Sequence, residues 1–133
     1  MRNIPLFVVC VLTLSACAIS PQNPASLDDK ALCYQFGRLV KSGTTSGAIS
    51  EFKQEVQQRQ LLPGDSWVHV WQGRLHVGDN LCAMHALAGI PDRENRTMTA
   101  AGARIQHVFT GGSLYAKPYY IYSQNGVVTA IQD

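Results

Sequence analysis

The stretch ARIQHVFTGGSLYAKPYYIYSQNGVVTAIQ, residues 103–132, decides the fold of this chain. Two glycine-containing turns, Gly111-Gly112 and Asn125-Gly126, divide it into three runs rich in β-branched and aromatic residues. Asn-Gly is typical of the tight type I′ turn that joins two hairpin strands. Because side chains alternate along a strand, Ile105, His107 and Phe109 share one face of the first run. The stretch therefore predicts a three-stranded antiparallel meander.

Two helical segments are expected in the N-terminal half. The first begins near Ser26, which resembles a capping box with Asp29, and ends before Gly43. The second follows and ends at Pro63-Gly64, a strong helix breaker. The apolar residues recur at helical spacing in both segments: Leu32, Cys33, Phe36 and Val40 in the first, and Ile49, Phe52 and Val56 in the second.

The segment between these helices and the meander changes its periodicity. From Trp67 to Trp71, tryptophan and histidine alternate with valine, and a turn at Gln72-Gly73 leads into residues 75–77, which favours a short hairpin or paired extended segment. Residues 81–88 then read as a short helix, because possible N-caps precede it and Gly89 follows it. Residues 91–102 are expected to form a loop.

These elements predict an α+β fold with two N-terminal helices, a short extended segment, one short helix and a C-terminal three-stranded antiparallel meander. The chain has 133 residues, which suffices for one domain. We expect a single domain over residues 27–133, with a helical half (27–64) and a second half (65–133).

The N-terminus reads as a lipoprotein signal. Arg2 precedes an apolar run from Ile4 to Leu14, which is too short to span a bilayer and is typical of a secretory signal peptide, here residues 1–16. Leu14-Ser15-Ala16-Cys17 resembles the lipobox of bacterial lipoproteins, in which the cysteine thiol accepts the lipid. Cys17 is therefore the expected attachment site, and residues 17–26, with two prolines, the expected tether. The alternative is a conventional signal peptide.

Location and charge restrict the expected partners. Ala18 follows Cys17, and the resemblance to bacterial sorting rules implies the periplasmic face of the outer membrane. A formal net charge of +2 is too small for a surface that binds a phosphate backbone. We therefore expect a membrane partner through the N-terminal lipid and no nucleic acid.

Two cysteines remain in the folded part. Cys33 and Cys82 are expected to form one disulfide, because the periplasm is oxidising. Two alternatives stay open at this point: separate buried thiols, or a metal site that adds His85 about one helical turn after Cys82.

The second half of the chain, about Trp67 to Asp133, resembles a known family. The features that carry the resemblance are the lipobox at the N-terminus and, in this half, Gly78 before a short amphipathic helix, Gly89-Ile90-Pro91, and a meander that ends in Asn125-Gly126-Val127-Val128. This arrangement resembles the small outer-membrane lipoproteins of the SmpA/OmlA (BamE-like) type, although the cysteine-bearing helical half is extra. The resemblance implies an accessory, non-catalytic lipoprotein that contacts other envelope proteins.

No catalytic motif accompanies the four histidines, His69, His76, His85 and His107. The chain lacks G-x-S-x-G and H-E-x-x-H, and it has no phosphate-binding loop. We therefore expect no enzyme activity, no cofactor and no metal. The alternative within catalysis is a small hydrolase that uses a histidine and a thiol.

Aromatic residues are the candidate protein-binding residues, because they bury a large area with few rotatable bonds. The sequence offers Trp67, Trp71, Tyr115, Tyr119, Tyr120 and Tyr122. The leading hypothesis is a non-catalytic interaction module of the cell envelope with a protein partner. The alternative is a periplasmic inhibitor or ligand-binding module that occupies a hydrolase and uses loops such as 91–102.

Overall fold

The computed structural model describes residues 22–45, 47–111 and 117–133. Its elements are a 3-10 turn (Pro24–Ser26), α1 (Asp29–Lys41), α2 (Gly47–Gln58), α3 (Asp65–Gln72), α4 (Leu81–Ala88), β1 (Arg93–Thr99), β2 (Gly102–Phe109), β3 (Tyr119–Gln124) and β4 (Val127–Gln132). The expected signal peptide (1–16) and the expected lipidation site Cys17 lie outside the described residues. Of the helices in the described part, none has the length and hydropathy to cross a bilayer.

The strands form one antiparallel sheet in the order β1-β2-β3-β4, so β1 and β4 are its edges. Thr99 pairs with Gly102 across the two-residue turn between β1 and β2. Asn125 and Gly126 make the turn between β3 and β4 with φ angles of 50° and 79°. Asparagine and glycine tolerate this left-handed conformation best, which explains why the Asn-Gly pair stands here.

The helices pack into a layer around α1. Leu32 and Phe36 of α1 are fully buried against apolar residues of α2, α3 and α4. Gly37 lies against the backbone of Ala86 in α4, where any Cβ atom would collide with the carbonyl group. Burial of a large apolar side chain stabilises a fold by about 1.5–3 kcal/mol, so Leu32 and Phe36 each contribute strongly to the stability of the helical layer.

Helix α4 joins the helical layer to the sheet. Cys82 and Ala83 face the helical core, whereas Met84 packs on the sheet with Ile121 and Val128. Asn80 caps the helix, because its side-chain oxygen accepts a hydrogen bond from the Ala83 N–H at 3.0 Å. A short helix with two buried sides is stable here because both neighbours cover it.

The molecule has an α+β fold, but the expected arrangement of its elements is wrong. The segment from Trp67 is not extended: residues 65–72 form α3, so three helices precede α4. The alternating residues also fit a helical stripe, in which Trp67, Val70 and Trp71 lie on one side. Tertiary packing of this stripe on Phe36 decides for the helix, and Gly73 ends it with a φ of 72°.

The three-stranded meander is the second error. The sheet has four strands, because residues 93–99, expected within a loop, form β1. The β1 sequence, RENRTMT, has no alternation of apolar and polar residues, and every one of its residues is exposed. It is a strand because its backbone pairs with β2 along its whole length. No local pattern predicts such an edge strand.

The end of the segment expected as a tether packs on the domain. Pro24 is buried, and the Arg59 guanidinium of the α2 C-terminus donates hydrogen bonds to the Ala25 and Leu27 carbonyls at 3.2 and 2.8 Å. Arg59 also pairs with Asp29 at 3.0 Å. Residues 24–26, which were expected to belong to the tether, therefore pack on the folded body.

Candidate functional site

Cys33 and Cys82 form a disulfide that ties α1 to α4, with a Cα–Cα distance of 5.3 Å. Both residues are buried. The two sulfur atoms are bonded to each other, so neither is a free thiol nucleophile or a thiolate ligand. The alternatives of separate thiols and of a metal site with His85 therefore do not apply to this pair.

The two tryptophans belong to an aromatic cluster on the helical layer. Trp67 stacks on Phe36 with ring centroids 5.6 Å apart, and Trp71 contacts both rings edge-on, at 5.9 Å from Phe36 and 6.2 Å from Trp67. Trp71 is 44% exposed. Most of this aromatic area is used in packing α3 onto α1.

The tyrosines divide between the two faces of the sheet. Tyr119 stacks on Phe109 at 4.8 Å on the face that α4 covers. Burial raises the pKa of Tyr119, and the charge of Asp92 adds to the effect. Tyr120 and Tyr122 are half-buried, and Tyr122 points to the opposite face. Tyr115 lies outside the described residues. The five aromatic candidates that the structure describes therefore do not form one surface.

The sheet face opposite α4, here called the outer face, carries a chain of polar side chains. Asn95 of β1 donates a hydrogen bond to Gln106 of β2 at 2.8 Å. Gln106 donates to the Tyr122 hydroxyl of β3 at 3.0 Å, and that hydroxyl donates to Gln132 of β4 at 3.3 Å. This series of hydrogen bonds crosses all four strands, so the outer face is polar and its side chains are held in place by one another.

The two edges of the sheet differ in their backbone pairing. At β4, the segment before α4 continues the ladder: Gly78 N–H donates to the Val128 carbonyl at 2.8 Å, and Val128 N–H donates to the Asp79 carbonyl at 2.7 Å. Asn80 also forms a bridge with Val127. No strand within residues 22–45, 47–111 and 117–133 pairs with the outer side of β1. The bonds at β4 cover that strand only at Val127 and Val128, whereas β1 has no outer partner anywhere along its length among the described residues, and it is here called the open edge.

His107 belongs to a buried cluster with a triad-like arrangement. One ring nitrogen lies 2.8 Å from the Ser123 hydroxyl oxygen and the other lies 2.9 Å from a Glu94 carboxylate oxygen. However, Ser123 and His107 are 2% and 1% exposed. A substrate cannot reach this serine without opening the sheet, and both histidine nitrogens already have partners. The cluster fits a structural role.

His69, His76 and Asp79 form a second cluster, near the surface. Each offers one ligand atom, and the three atoms lie within 4.8 Å of one another. His69 Nδ1 lies 2.8 Å from Asp79 Oδ1, and the two imidazole rings meet edge-on with centroids 3.9 Å apart. The residues come from α3 and from the loop before α4. Two imidazoles and a carboxylate are donors that bind transition metals.

Asp79 is held as an anion. Burial by itself raises the pKa of its carboxyl group. Hydrogen bonds from His69, from the His76 backbone N–H at 2.8 Å and from the Ser66 hydroxyl at 2.8 Å outweigh burial and lower the pKa below its ordinary value. The carboxylate is therefore fixed at both oxygens, which is how proteins orient a ligating group.

Neither the open edge at β1 nor this cluster was predicted from the sequence. The predicted hairpin or paired extended segment over residues 67–77 gave His69 and His76 no ligand role, and the residues before α4 were considered only as helix caps. The available signal was two histidines and an aspartate within eleven residues that contain two glycines. These three residues come together because α3 ends at Gly73 and the chain then turns back towards the helix.

Comparisons with protein-family models, with curated proteins and with solved structures gave no match. The resemblance to lipoproteins of the BamE-like type is therefore still a prediction from the residues quoted above.

Proposed function

We propose that this protein is a non-catalytic interaction module of the cell envelope, anchored by lipid at Cys17 on the periplasmic face of the outer membrane. Its partner is an envelope protein that adds an extended segment to the open edge of β1. The observation that carries the proposal is the contrast between the two sheet edges: residues 78–80 continue the ladder at the first residues of β4, whereas no described residue pairs with the outer side of β1.

An open edge offers a row of backbone donors and acceptors, which gives affinity to an added strand. In β1 these groups alternate in direction, because antiparallel ladders pair every second residue. The charged residues Arg93 and Arg96 are exposed along this edge, whereas the carboxylate of Glu94 also contacts the buried His107. Charges on an edge oppose pairing between identical copies, since like charges would meet, and favour a partner with complementary charge.

The outer face supports specificity beside this edge. Asn95, Gln106 and Tyr122 already hold one another by hydrogen bonds, so their side chains are ordered before a partner arrives. Ordered side chains lose less conformational entropy on binding. A partner segment that lies along β1 would contact Asn95 and Thr97 first.

The chain length supports a location beside the membrane. Residues 17 to 22 span at most about 18 Å when fully extended. If Cys17 carries acyl chains, the folded body therefore stays close to the lipid surface. Two or three acyl chains give a stable attachment, whereas one is marginal.

Site-specific photo-crosslinking in the producing cells tests the edge. A photoreactive residue replaces Met98, which is 69% exposed on β1, and a matched control replaces Gln57, an exposed residue of α2. We expect crosslinks to an envelope protein from position 98 and not from position 57. Equal crosslinking from both positions, or none from position 98, contradicts docking at β1. Capture of a single soluble hydrolase instead supports the inhibitor alternative.

Arg96→Pro sharpens this test. Because Thr99 and Gly102 close a two-residue turn, the alternation directs the Arg96 N–H away from β2. Proline there removes an outward donor and is tolerated on edge strands. We expect the crosslink from position 98 to disappear while the circular dichroism spectrum is retained. A persistent crosslink contradicts strand addition.

Cys17→Ser tests the anchor separately. The variant cannot accept lipid at this position, so we expect it in the soluble fraction after cell disruption, whereas the wild-type protein sediments with membranes. Membrane attachment of the variant contradicts a lipid anchor at Cys17.

A further inference from the structure

The cluster of His69, His76 and Asp79 lies away from β1 and plays no part in the proposed docking. It brings together a histidine from α3 with a histidine and a buried aspartate from the loop before α4. The cluster contains one feature that internal packing does not explain.

That feature is the Nδ1 atom of His76. It is buried, and no protein group in the described parts of the chain forms a hydrogen bond with it. A buried ring nitrogen without a partner loses its hydration and gains nothing in return, at a cost of about 1–3 kcal/mol. Native proteins rarely leave such an atom unpaired unless a water molecule or an ion serves it. His107 shows the ordinary case, because both of its nitrogens have protein partners.

The backbone holds the ligand-bearing loop in place. Asp79 N–H donates to the His76 carbonyl at 3.1 Å, and Val128 N–H of β4 donates to the Asp79 carbonyl at 2.7 Å. Gly78, with a φ of 99°, allows the sharp turn between His76 and Asp79. The loop is therefore fixed on both sides, by α3 through His69 and by the sheet through Val128. A preformed site pays little conformational entropy when a ligand binds.

Hydrogen bonds hold the Asp79 carboxylate in a fixed orientation, as they commonly do for metal-binding carboxylates. The Ser66 hydroxyl donates to Oδ1 and the His76 backbone N–H donates to Oδ2, each at 2.8 Å. These bonds orient the carboxylate without using all of its lone pairs. The side chain of Asp79 is only 3% exposed, whereas that of His69 is 22% exposed. Solvent therefore reaches the cluster from the side of His69.

We propose that His69, His76 and Asp79 form a binding site for a divalent transition-metal ion of the Zn²⁺ class. Ligand atoms around tetrahedral zinc lie about 3.3 Å apart, given metal–ligand bonds of about 2.0–2.1 Å. The three ligand atoms, at most 4.8 Å apart, would approach one another to this separation when the ion binds. The ion would supply the missing partner of His76 Nδ1 and would replace the contact between His69 Nδ1 and Asp79.

The donor set selects the metal. Two imidazoles favour Zn²⁺, Cu²⁺ or Ni²⁺ over Mg²⁺ and Ca²⁺, which require oxygen ligands. Three protein ligands leave at least one coordination position for water or for a donor group of a partner. We commit to Zn²⁺ as the probe.

Equilibrium dialysis of the purified full-length protein against Zn²⁺ tests the proposal, together with NMR of the histidine rings. We expect about one Zn²⁺ per chain. The chain has four histidines, so the NMR readout is specific: the resonances of His69 and His76 should shift, and those of His85 and His107 should not. Absence of zinc binding, or shifts at His85 or His107 instead, overturns the proposal.

His76→Gln is the decisive variant, with His85→Gln as the matched control. His76→Gln removes a ring whose Nδ1 has no protein partner and keeps the backbone N–H that binds Asp79, so the fold should be retained. We expect at least a tenfold weaker affinity for Zn²⁺ in His76→Gln and an unchanged affinity in His85→Gln. Asp79→Asn, which preserves the shape of the side chain, should weaken binding similarly. Equal affinity of His76→Gln and the wild-type protein contradicts the site even if zinc binds elsewhere.

Discussion

The contact between α1 and α4 and the edge strand β1 use their residues in opposite ways. In the helix contact, Cys33, Gly37 and Cys82 are buried, and both a covalent bond and a close backbone approach hold the helices together. In β1, all residues are exposed, and the strand is held by backbone pairing with β2 and by polar contacts from Glu94 and Asn95. In the first region, the side chains stabilise the fold. The second leaves its side chains and its outer backbone edge available to a partner.

Removing the disulfide should have the largest effect on this comparison. The double variant Cys33→Ala/Cys82→Ala opens a loop of 49 residues, which destabilises the fold by about 4 kcal/mol in the chain-entropy model. Urea unfolding of the variant and of the wild-type protein without reductant measures the difference. Reductant should lower the free energy of unfolding of the wild-type protein by the same amount. It should leave that of the variant unchanged. A loss below about 1 kcal/mol would contradict the role given to the bridge.

Gly37→Ala should have the next largest effect. The new methyl group would collide with the Ala86 backbone, which cannot move as a side chain can, so α1 and α4 must separate. Overpacking of this kind costs about 1–3 kcal/mol, and the backbone contact places it at the upper end. Gly47→Ala is the control, because a Cβ atom at Gly47 meets open space. Thermal unfolding of both variants should show a lower midpoint for Gly37→Ala only.

His85 makes the same helix contact sensitive to acid. Burial lowers the pKa of His85. The hydrogen bond to the Gly89 carbonyl raises it, and the positive charge of Lys30 lowers it further, so the net shift is downward. The unfolded chain therefore takes up a proton before the native protein does. Stability should be complete above the ordinary pKa of 6.5 and should fall as the pH drops below it. Urea unfolding from pH 7.5 to 5.5 should show a smaller loss for His85→Gln than for the wild-type protein; equal slopes contradict this assignment.

Met98→Ala in β1 should have the smallest effect. The side chain is 69% exposed, and exposed substitutions away from special features change stability by less than about 0.5 kcal/mol. Urea unfolding should therefore give nearly the wild-type midpoint. A loss above about 1 kcal/mol would mean that β1 carries packing of its own, and the contrast between the two regions would disappear.

Part of the fold and of the site is readable from local pattern. The helical spacing of Leu32 and Phe36 and the Asn125-Gly126 turn express backbone geometry that depends only on neighbouring residues. The disulfide was predicted because Cys33 and Cys82 are the two cysteines that remain once Cys10 is assigned to the predicted signal peptide and Cys17 to the predicted lipid. The lipid anchor and the envelope partner are also sequence inferences, and they stay predictions.

The remaining features depend on residues that are distant in sequence. The residues from Trp67 to Trp71 fit a strand and a helix equally well, and contact with Phe36 of α1 selects the helix. β1 has no apolar pattern and becomes a strand only because β2 offers it backbone partners. The cluster of His69, His76 and Asp79 forms because Gly73 and the bonds to Val128 turn the loop back on α3.

By itself, therefore, the sequence determined those elements whose free energy comes from short-range geometry: helical stripes, a tight turn and the number of cysteines available to pair. Only the tertiary structure decided which segment became α3, which strand became the open edge, and which histidine nitrogen lacks a partner. The physical reason is that burial and hydrogen-bond satisfaction depend on neighbours supplied by other parts of the chain, and periodicity along one segment contains no information about them.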